Sequence, residues 1–341
     1  MKNICVLGAG SWGTALAVHL AKKGLLVRLW SIDKEQVDIM NETRFNQHFL
    51  PDIELANNIE PTCDLDFALH GAKLVVLSVP SNAVREVVQL FSPKINKDVV
   101  IVNTAKGLEE KTLMRMSQVI MEETKGLPPV AVLSGPSHAE EVSRFLPTAV
   151  VAAAKQRKVA EFVQDIFMAV NFRVYTNPDI CGVEIGGALK NVIALATGIA
   201  DGLGFGDNTR AALMTRGITE ISRVGIRLKA DPLTFAGLTG IGDLIVTCSS
   251  MHSRNRRAGI QLGQGIPLDT ILKNMGMVVE GANTVKAAVK LARQLCVEMP
   301  ITQEVHDVLY KGKKPIESVN NLMKRNRTHE VEEVVTNCNF I

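Results

Sequence analysis

The sequence predicts a doubly wound α/β domain followed by an all-helical one. Three observations carry that reading. Gly8, Gly10 and Gly13 follow directly on the apolar run Ile4-Cys5-Val6-Leu7 and open a helix-like stretch. Near-continuous apolar runs such as Leu74-Val75-Val76-Leu77 then recur between helical segments, the pattern of parallel strands covered on both faces. Past Thr176-Asn177-Pro178-Asp179 turn residues cluster and no convincing strand follows. At 341 residues the chain is too long for one ordinary core. The expected layout is a sheet domain over 1–178, a helical domain over 179–326 and a frayed tail over 327–341.

In chain order, the expected strands are 3–7, 25–30, 73–79, 99–103, 130–133, 148–153 and 172–175. Helices are expected over 11–23, stopped by Gly24, and over 81–91, 109–121 and 156–168. In the second half, 182–200, 208–228, 231–236, 254–262, 268–273, 284–295 and 302–310 all read as helical.

The three glycines have separate roles. Gly8 permits the tight turn out of the strand, Gly10 leaves room for a pyrophosphate to approach the backbone, and Gly13 lets the helix pack closely on the sheet. The helix N-terminus adds free N–H groups and a partial positive charge. In a strand–turn–helix setting this is the phosphate-binding end of a dinucleotide site in a Rossmann domain.

Composition sets bounds on function. A net charge of +3 does not suggest nucleic acid, though a local cationic pocket for a small anion fits it. Six cysteines, scattered and without a CxxC pair, read as buried free thiols in a reducing cytoplasm. Seven histidines without HxxxH or HExxH spacing propose no metal site. The membrane-like stretch 185–200 is short and holds Lys190 near its centre, so a soluble cytoplasmic protein without membrane insertion is expected.

Five places carry potential chemistry. Lys190 is the only charge from Ile185 to Ala200, and Gly186 and Gly187 lie one helical turn before it. It reads either as a lysine snorkelling out of a buried helix or as a partly desolvated lysine suited to proton transfer near neutral pH. Lys106 follows a strand's C-terminal end, where open α/β sheets bind ligands; the alternative is a solvated loop lysine. Gly135-Pro136-Ser137 lies at the same edge, with Ser137 either an N-cap or part of a turn over a ligand. Asp243, in Gly240-Ile241-Gly242-Asp243 and with Thr247 beyond it, either caps the next helix or holds a lysine ammonium. Ser253-Arg254-Asn255-Arg256-Arg257 reads as an N-cap and a basic first turn. Such a turn opposes the helix dipole unless a bound phosphate offsets it; the alternative is a basic surface patch.

With Val278-Val279-Glu280-Gly281, these segments resemble the bacterial NAD(P)-dependent glycerol-3-phosphate dehydrogenases from Ile4 to about Leu309. The carrying stretches are GAGSWGTALA at 8–17, TAKGLE at 104–109, SGPS at 134–137, GGALKNVI at 186–193, GIGDLIVT at 240–247, SRNRR at 253–257 and VVEG at 278–281. GGALKNV, SRNRR and VVEG in that order and spacing are the most specific.

The resemblance implies an active site in the cleft between the two domains and a reversible reduction of dihydroxyacetone phosphate to sn-glycerol 3-phosphate with NAD or NADP. It also implies a supply of backbone for membrane phospholipids and a homodimer. By position, Lys190 matches the general acid/base, Lys106 and Asp243 its partners, and Asn191 and Thr247 neighbouring polar positions. Gly135, Ser137, Ser253, Arg254 and Asn255 match substrate-binding positions, and Ser11, Trp12, Lys106, Ala139, Arg254, Val278 and Glu280 cofactor contacts. Many relatives carry His or Arg just after the second strand, where this chain has Ser31-Ile32-Asp33-Lys34. Asp33 favours a free ribose 2′-hydroxyl and Lys34 a 2′-phosphate, so NAD and NADP both stay open.

The chemistry runs the same way. Negative charge grows on the C2 oxygen during reduction, and Lys190 is expected to stabilise it and donate the proton. Lys106 lowers the pKa of Lys190 by like-charge repulsion, and Asp243 opposes that shift. A β-hydroxyacid dehydrogenase shares the architecture and a Lys-Asn pair but takes a carboxylate. A redox sensor that binds NAD(P) without turnover has no need of a lysine in a charge-free helix.

Overall fold

The computed structural model describes residues 3–326. The expected tail at 327–341 lies outside them. From the N-terminus the chain forms β1 (Asn3–Leu7), α1 (Ser11–Lys22), β2 (Leu26–Trp30), α2 (Lys34–Thr43), β3 (Phe45–Asn46), β4 (Leu50–Glu54), β5 (Ile59–Thr62), α3 (Leu65–Leu69) and β6 (Ala72–Leu77). Next come α4 (Val84–Phe91), β7 (Val100–Asn103), α5 (Met116–Glu123), β8 (Val130–Ser134), α6 (Ala139–Ser143), β9 (Thr148–Ala153), α7 (Arg157–Phe167) and β10 (Phe172–Asn177). Every later element is helical: α8 (Ile180–Gly202), α9 (Asp207–Arg227), α10 (Pro232–Phe235), α11 (Asp243–Ser249), α12 (Arg254–Gly263), α13 (Leu268–Met275), α14 (Glu280–Gln294), α15 (Pro300–Tyr310) and α16 (Pro315–Met323).

The main sheet has eight strands in the order β10-β9-β8-β7-β6-β1-β2-β5. Between β1 and β6 the winding reverses, the crevice where such sheets bind ligands. β1, β2, β5, β6, β7 and β8 run parallel, but β9 is antiparallel to β8, with Val132 opposite Ala153. The apolar run 148–153 predicts the strand and not its direction, because a strand buried on both faces reads alike either way.

Three expectations need correction. The segment 109–121 is not one helix. Leu113 has φ +60, Leu108 bridges Arg115, and the helix starts only at Met116. The stretch from 34 to 69 holds α2, the small β3–β4 ribbon, β5 and α3, none of which the sequence pattern revealed. Asp33 caps α2 by accepting from the backbone N–H of Gln36 at 3.1 Å. Among the cysteines of the described residues only Cys5 and Cys248 are buried, while Cys63 and Cys296 are exposed.

The helical half is organised around α8. The apolar 18-residue window of this helix is 94% buried inside the molecule, so it is a core helix despite its length and hydropathy. Its glycines set how near its neighbours come. A Cβ on Gly198 would lie 2.2 Å from the carbonyl oxygen of Arg256, and one on Gly259 would lie 2.4 Å from that of Leu195. The backbones of α8 and α12 therefore touch, which brings the start of α12 beside the middle of α8.

Candidate active site

Lys190, midway along α8, is buried. Its Nζ donates to Asp243 Oδ1 at 2.5 Å and to Thr247 Oγ1 at 2.6 Å. Lys106, in the loop after β7, donates to the other Asp243 oxygen at 2.7 Å and to the carbonyl of Gly135, after β8, at 3.0 Å. One buried carboxylate thus holds two ammonium groups, one from each half of the chain. Asp243 does not cap its helix: the N-cap of α11 is Gly242, reached through a π-helical turn over 238–242. Gly186 permits this placement, since a Cβ there would lie 2.5 Å from the carbonyl oxygen of Thr239.

The electrostatics follow from that geometry. Burial, helped by the neighbouring Lys106, lowers the Lys190 pKa to about 8, and Asp243 limits the fall. Burial alone would raise the Asp243 carboxyl, but the two lysines outweigh it and hold it below the usual carboxylate range. Lys190 therefore titrates near neutral pH while its partner stays ionised. Asn191, next on α8, accepts from Asn255 Nδ2 at 2.9 Å, and Asn255 Oδ1 accepts from the N–H of Gly281 at 2.9 Å. This pair ties α8, α12 and α14 together beside the lysines.

At the start of α12, Ser253 is a true N-cap, its hydroxyl accepting from the N–H of Arg256 at 3.2 Å. Arg256 is committed elsewhere, to Asp201 at 2.9 Å and the carbonyl of Ser249 at 2.7 Å. Arg254 makes no hydrogen bond or ion pair among the described residues. Burial, opposed by the charges of Glu280 and Glu140, lowers its pKa. A half-buried guanidinium without a partner at a helix N-terminus suits an anion. Ser137 does not cap α6, whose N-cap is His138; its hydroxyl instead donates to the carbonyl of Gly135 at 2.9 Å.

The glycine turn fits a dinucleotide. Gly8 has φ +109, and a Cβ on it would lie 2.6 Å from the carbonyl oxygen of Ser78. A Cβ on Gly13 would lie 1.9 Å from the carbonyl oxygen of Gly8, so both glycines are needed by the fold itself. A Cβ on Gly10 would meet nothing within 4 Å, and no side chain caps α1. The space above Gly10 and the helix N-terminus is thus open to a pyrophosphate. Residues that the sequence reading missed hold this turn. Asn46 donates to the carbonyl of Ala9 at 2.8 Å and to Thr14 at 2.7 Å, and Gln36 donates to the same carbonyl at 2.7 Å.

The other cofactor candidates have contacts of their own. Ser11 donates to the carbonyl of Phe49 at 2.9 Å, and Trp12 packs on buried Ala15, Leu50 and Ala139 beneath the turn. Val278 is half-buried ahead of α14. Glu280, at the start of α14, accepts from Ser81 through its N–H at 3.0 Å and its hydroxyl at 2.5 Å. Ser81 is a second residue that the motifs did not reveal, since nothing in its own segment marks it.

Comparison with known proteins identifies the family. Residues 3–160 match the family described as NAD-dependent glycerol-3-phosphate dehydrogenase N-terminus, and 179–320 its C-terminus. The chain is 62% identical over 331 residues to glycerol-3-phosphate dehydrogenase [NAD(P)+] of Moorella thermoacetica, covering 97% of this chain and 98% of that one. It is 59% identical to the protein of the same name from Pelotomaculum thermopropionicum, over 97% of this chain and 96% of that one. A crystal structure of glycerol-3-phosphate dehydrogenase from Coxiella burnetii superposes with a TM-score of 0.92 at 40% identity, covering 95% of this chain and 99% of that one.

Proposed function

The chain belongs to the NAD-dependent glycerol-3-phosphate dehydrogenase family, and from that premise we propose how its residues divide the work. It is an NAD(P)-dependent oxidoreductase that acts on a CH–OH group, interconverting dihydroxyacetone phosphate and sn-glycerol 3-phosphate. The cofactor, when bound, supplies or accepts the hydride. Lys190 protonates the C2 oxygen during reduction and takes that proton back during oxidation. Asp243 and Thr247 hold its Nζ in place, and Lys106 adds positive charge where the oxygen gains negative charge. Arg254, Ser253, Asn255 and Ser137, with the turn at Gly135, bind the phosphorylated triose. Orientation by this anchor supplies much of the rate. Gly8, Gly10, Gly13, Ser11, Trp12, Ala139, Val278 and Glu280 form the nicotinamide dinucleotide site. The protein works in the cytoplasm as a homodimer and feeds glycerophospholipid synthesis.

One observation carries the division of labour. A buried lysine has its Nζ 2.5 Å from a buried carboxylate that also holds a second lysine. A non-catalytic sensor has no use for that arrangement. The test follows nicotinamide absorbance with dihydroxyacetone phosphate and, separately, with a β-keto acid. Oxidation of the cofactor only with the phosphorylated ketone is expected; preference for the keto acid would overturn the phosphate assignment.

A further inference from the structure

Among the described residues, four buried side-chain polar atoms lack a hydrogen-bond partner: Ser134 Oγ, His138 Nε2, Thr284 Oγ1 and Ser318 Oγ. Buried polar groups are nearly always paired, so each exception needs a reason. Two of the four lie on one turn, at either end of Ser134-Gly135-Pro136-Ser137-His138. Ser134 is packed beneath α8, its Oγ 3.0 Å from where a Cβ on Gly187 would stand. His138, the N-cap of α6, is half-buried instead. Its ring centroid lies 5.6 Å from that of His252, which immediately precedes Ser253 on the opposite wall.

Charges reach His138 from several elements: Lys190 on α8, Lys106 after β7, and Glu140 and Glu141 on its own helix. Burial, and after it the Lys190 ammonium, hold its pKa below the ordinary histidine value. At pH 7 the ring is a neutral donor rather than a third cation. It therefore sits between the lysine cluster and the N-terminus of α12 with a donor that the protein itself does not use.

We propose that His138 is a substrate-binding residue whose Nε2–H donates a hydrogen bond to the phosphate of the triose. The proposal rests on the reading above, in which the start of α12 holds that phosphate. A bound phosphate would supply the missing partner and select the tautomer protonated at Nε2. No proton is transferred in this role, so the loss should fall on binding rather than on turnover.

The test compares His138→Phe and His138→Gln with the unaltered enzyme, on dihydroxyacetone phosphate and on dihydroxyacetone, which lacks the phosphate. His138→Phe should raise KM for the phosphorylated ketone roughly 10-fold, the usual scale of a hydrogen bond to a charged group. It should change kcat by less than a few-fold and leave kcat/KM for dihydroxyacetone unaltered. His138→Gln, which keeps a donor, should recover part of the loss. The dissociation constant of the reduced cofactor, read by fluorescence titration, should not move. If the Phe variant fails to bind cofactor, the Gln variant decides alone: its KM must then rise for the phosphorylated ketone only. Equal losses on both ketones, or an unchanged KM, would overturn the proposal. Arg254→Ala, run in parallel, separates the two readings. If it too affects both ketones equally, the phosphate site is misplaced; if it discriminates and the His138 variants do not, only His138 is wrong.

Discussion

Glu184 and Lys190 are both buried on α8, less than two turns apart, and their surroundings differ in one respect. Both oxygens of Glu184 are held by donors of the protein. One oxygen accepts from the N–H of Ser117 at 2.7 Å; the other accepts from the Ser117 hydroxyl at 2.6 Å and from Arg115 at 2.5 Å. It closes the start of α5 from a neighbouring helix, together with Gln118 of α5 itself, which accepts from the N–H of Arg115 at 3.0 Å. Lys190 has three donors and two partners, Asp243 and Thr247. The third N–H is left for something that arrives. A buried charge tied to the backbone and side chains of one helix start is structural; one with a donor to spare, sharing a carboxylate with a second lysine, is poised for chemistry.

Removing Lys190 breaks the comparison at its functional end and should have the largest effect. Lys190→Ala is expected to lose about 10²–10⁴-fold in turnover, the usual worth of general acid catalysis, with cofactor affinity close to normal. Turnover within a few-fold of the unaltered enzyme would refute the role. The unaltered enzyme makes a linked pH prediction. Reduction needs the ammonium, so its rate should fall as pH rises through about 8, while oxidation needs the free amine and should rise through the same value. Parallel rather than opposed limbs would show that another group titrates.

Asp243→Asn comes next. The carboxylate supports the charged form of Lys190, so its loss should move the reductive limb to lower pH. Misplacing Nζ by about 1 Å adds a turnover loss of about 10²-fold. A pH–rate profile checks both, and a limb moving to higher pH would reverse the assigned electrostatics. Arg254→Ala should have a smaller effect, confined mainly to binding. Losing a charge-assisted hydrogen bond costs about 1.5–3 kcal/mol, or roughly 10–150-fold in the apparent constant for dihydroxyacetone phosphate. Dihydroxyacetone should be affected far less, and an equal penalty on both would assign Arg254 to cofactor or fold.

How legible the two charges were in the sequence follows from what each one touches. Lys190 announces itself because it is the only charge from Ile185 to Ala200, and Gly186 and Gly187 signal a close neighbour. Its partner Asp243 supports two readings in the sequence, because capping and ammonium binding use the same residue type at the same kind of position. Glu184 carries no local signal: its donors on Arg115 and Ser117 are far away in sequence and lie inside a stretch whose pattern predicts continuous helix. The fold shows the same divide. β1 and β9 match their expected bounds to the residue, since apolar runs bounded by turns are local signals. The β9 direction, the β3–β4 ribbon and the hold of Asn46 on the glycine turn depend on partners that no local window contains.

Glu184→Gln probes the other half of the comparison and should have the smallest effect on catalysis. The amide keeps one accepting oxygen but turns an NH2 toward donors that it cannot satisfy, and it removes the charge facing Arg115. A buried group left without its partner costs about 1–3 kcal/mol, so the denaturant midpoint should fall with the slope unchanged. Turnover per folded molecule should stay within about two-fold, because no atom of Glu184 takes part in the Lys190–Asp243–Lys106 cluster. The position of the pH limb near 8 is the sharper readout. If Glu184→Gln moves that limb, the two buried charges of α8 are coupled through the helix, and the division between a structural charge and a catalytic one fails. If the midpoint drops and the limb stays, the same helix carries two buried charges with separable roles, and the difference rests on what each one touches: a helix start for Glu184, a carboxylate shared with a second lysine for Lys190.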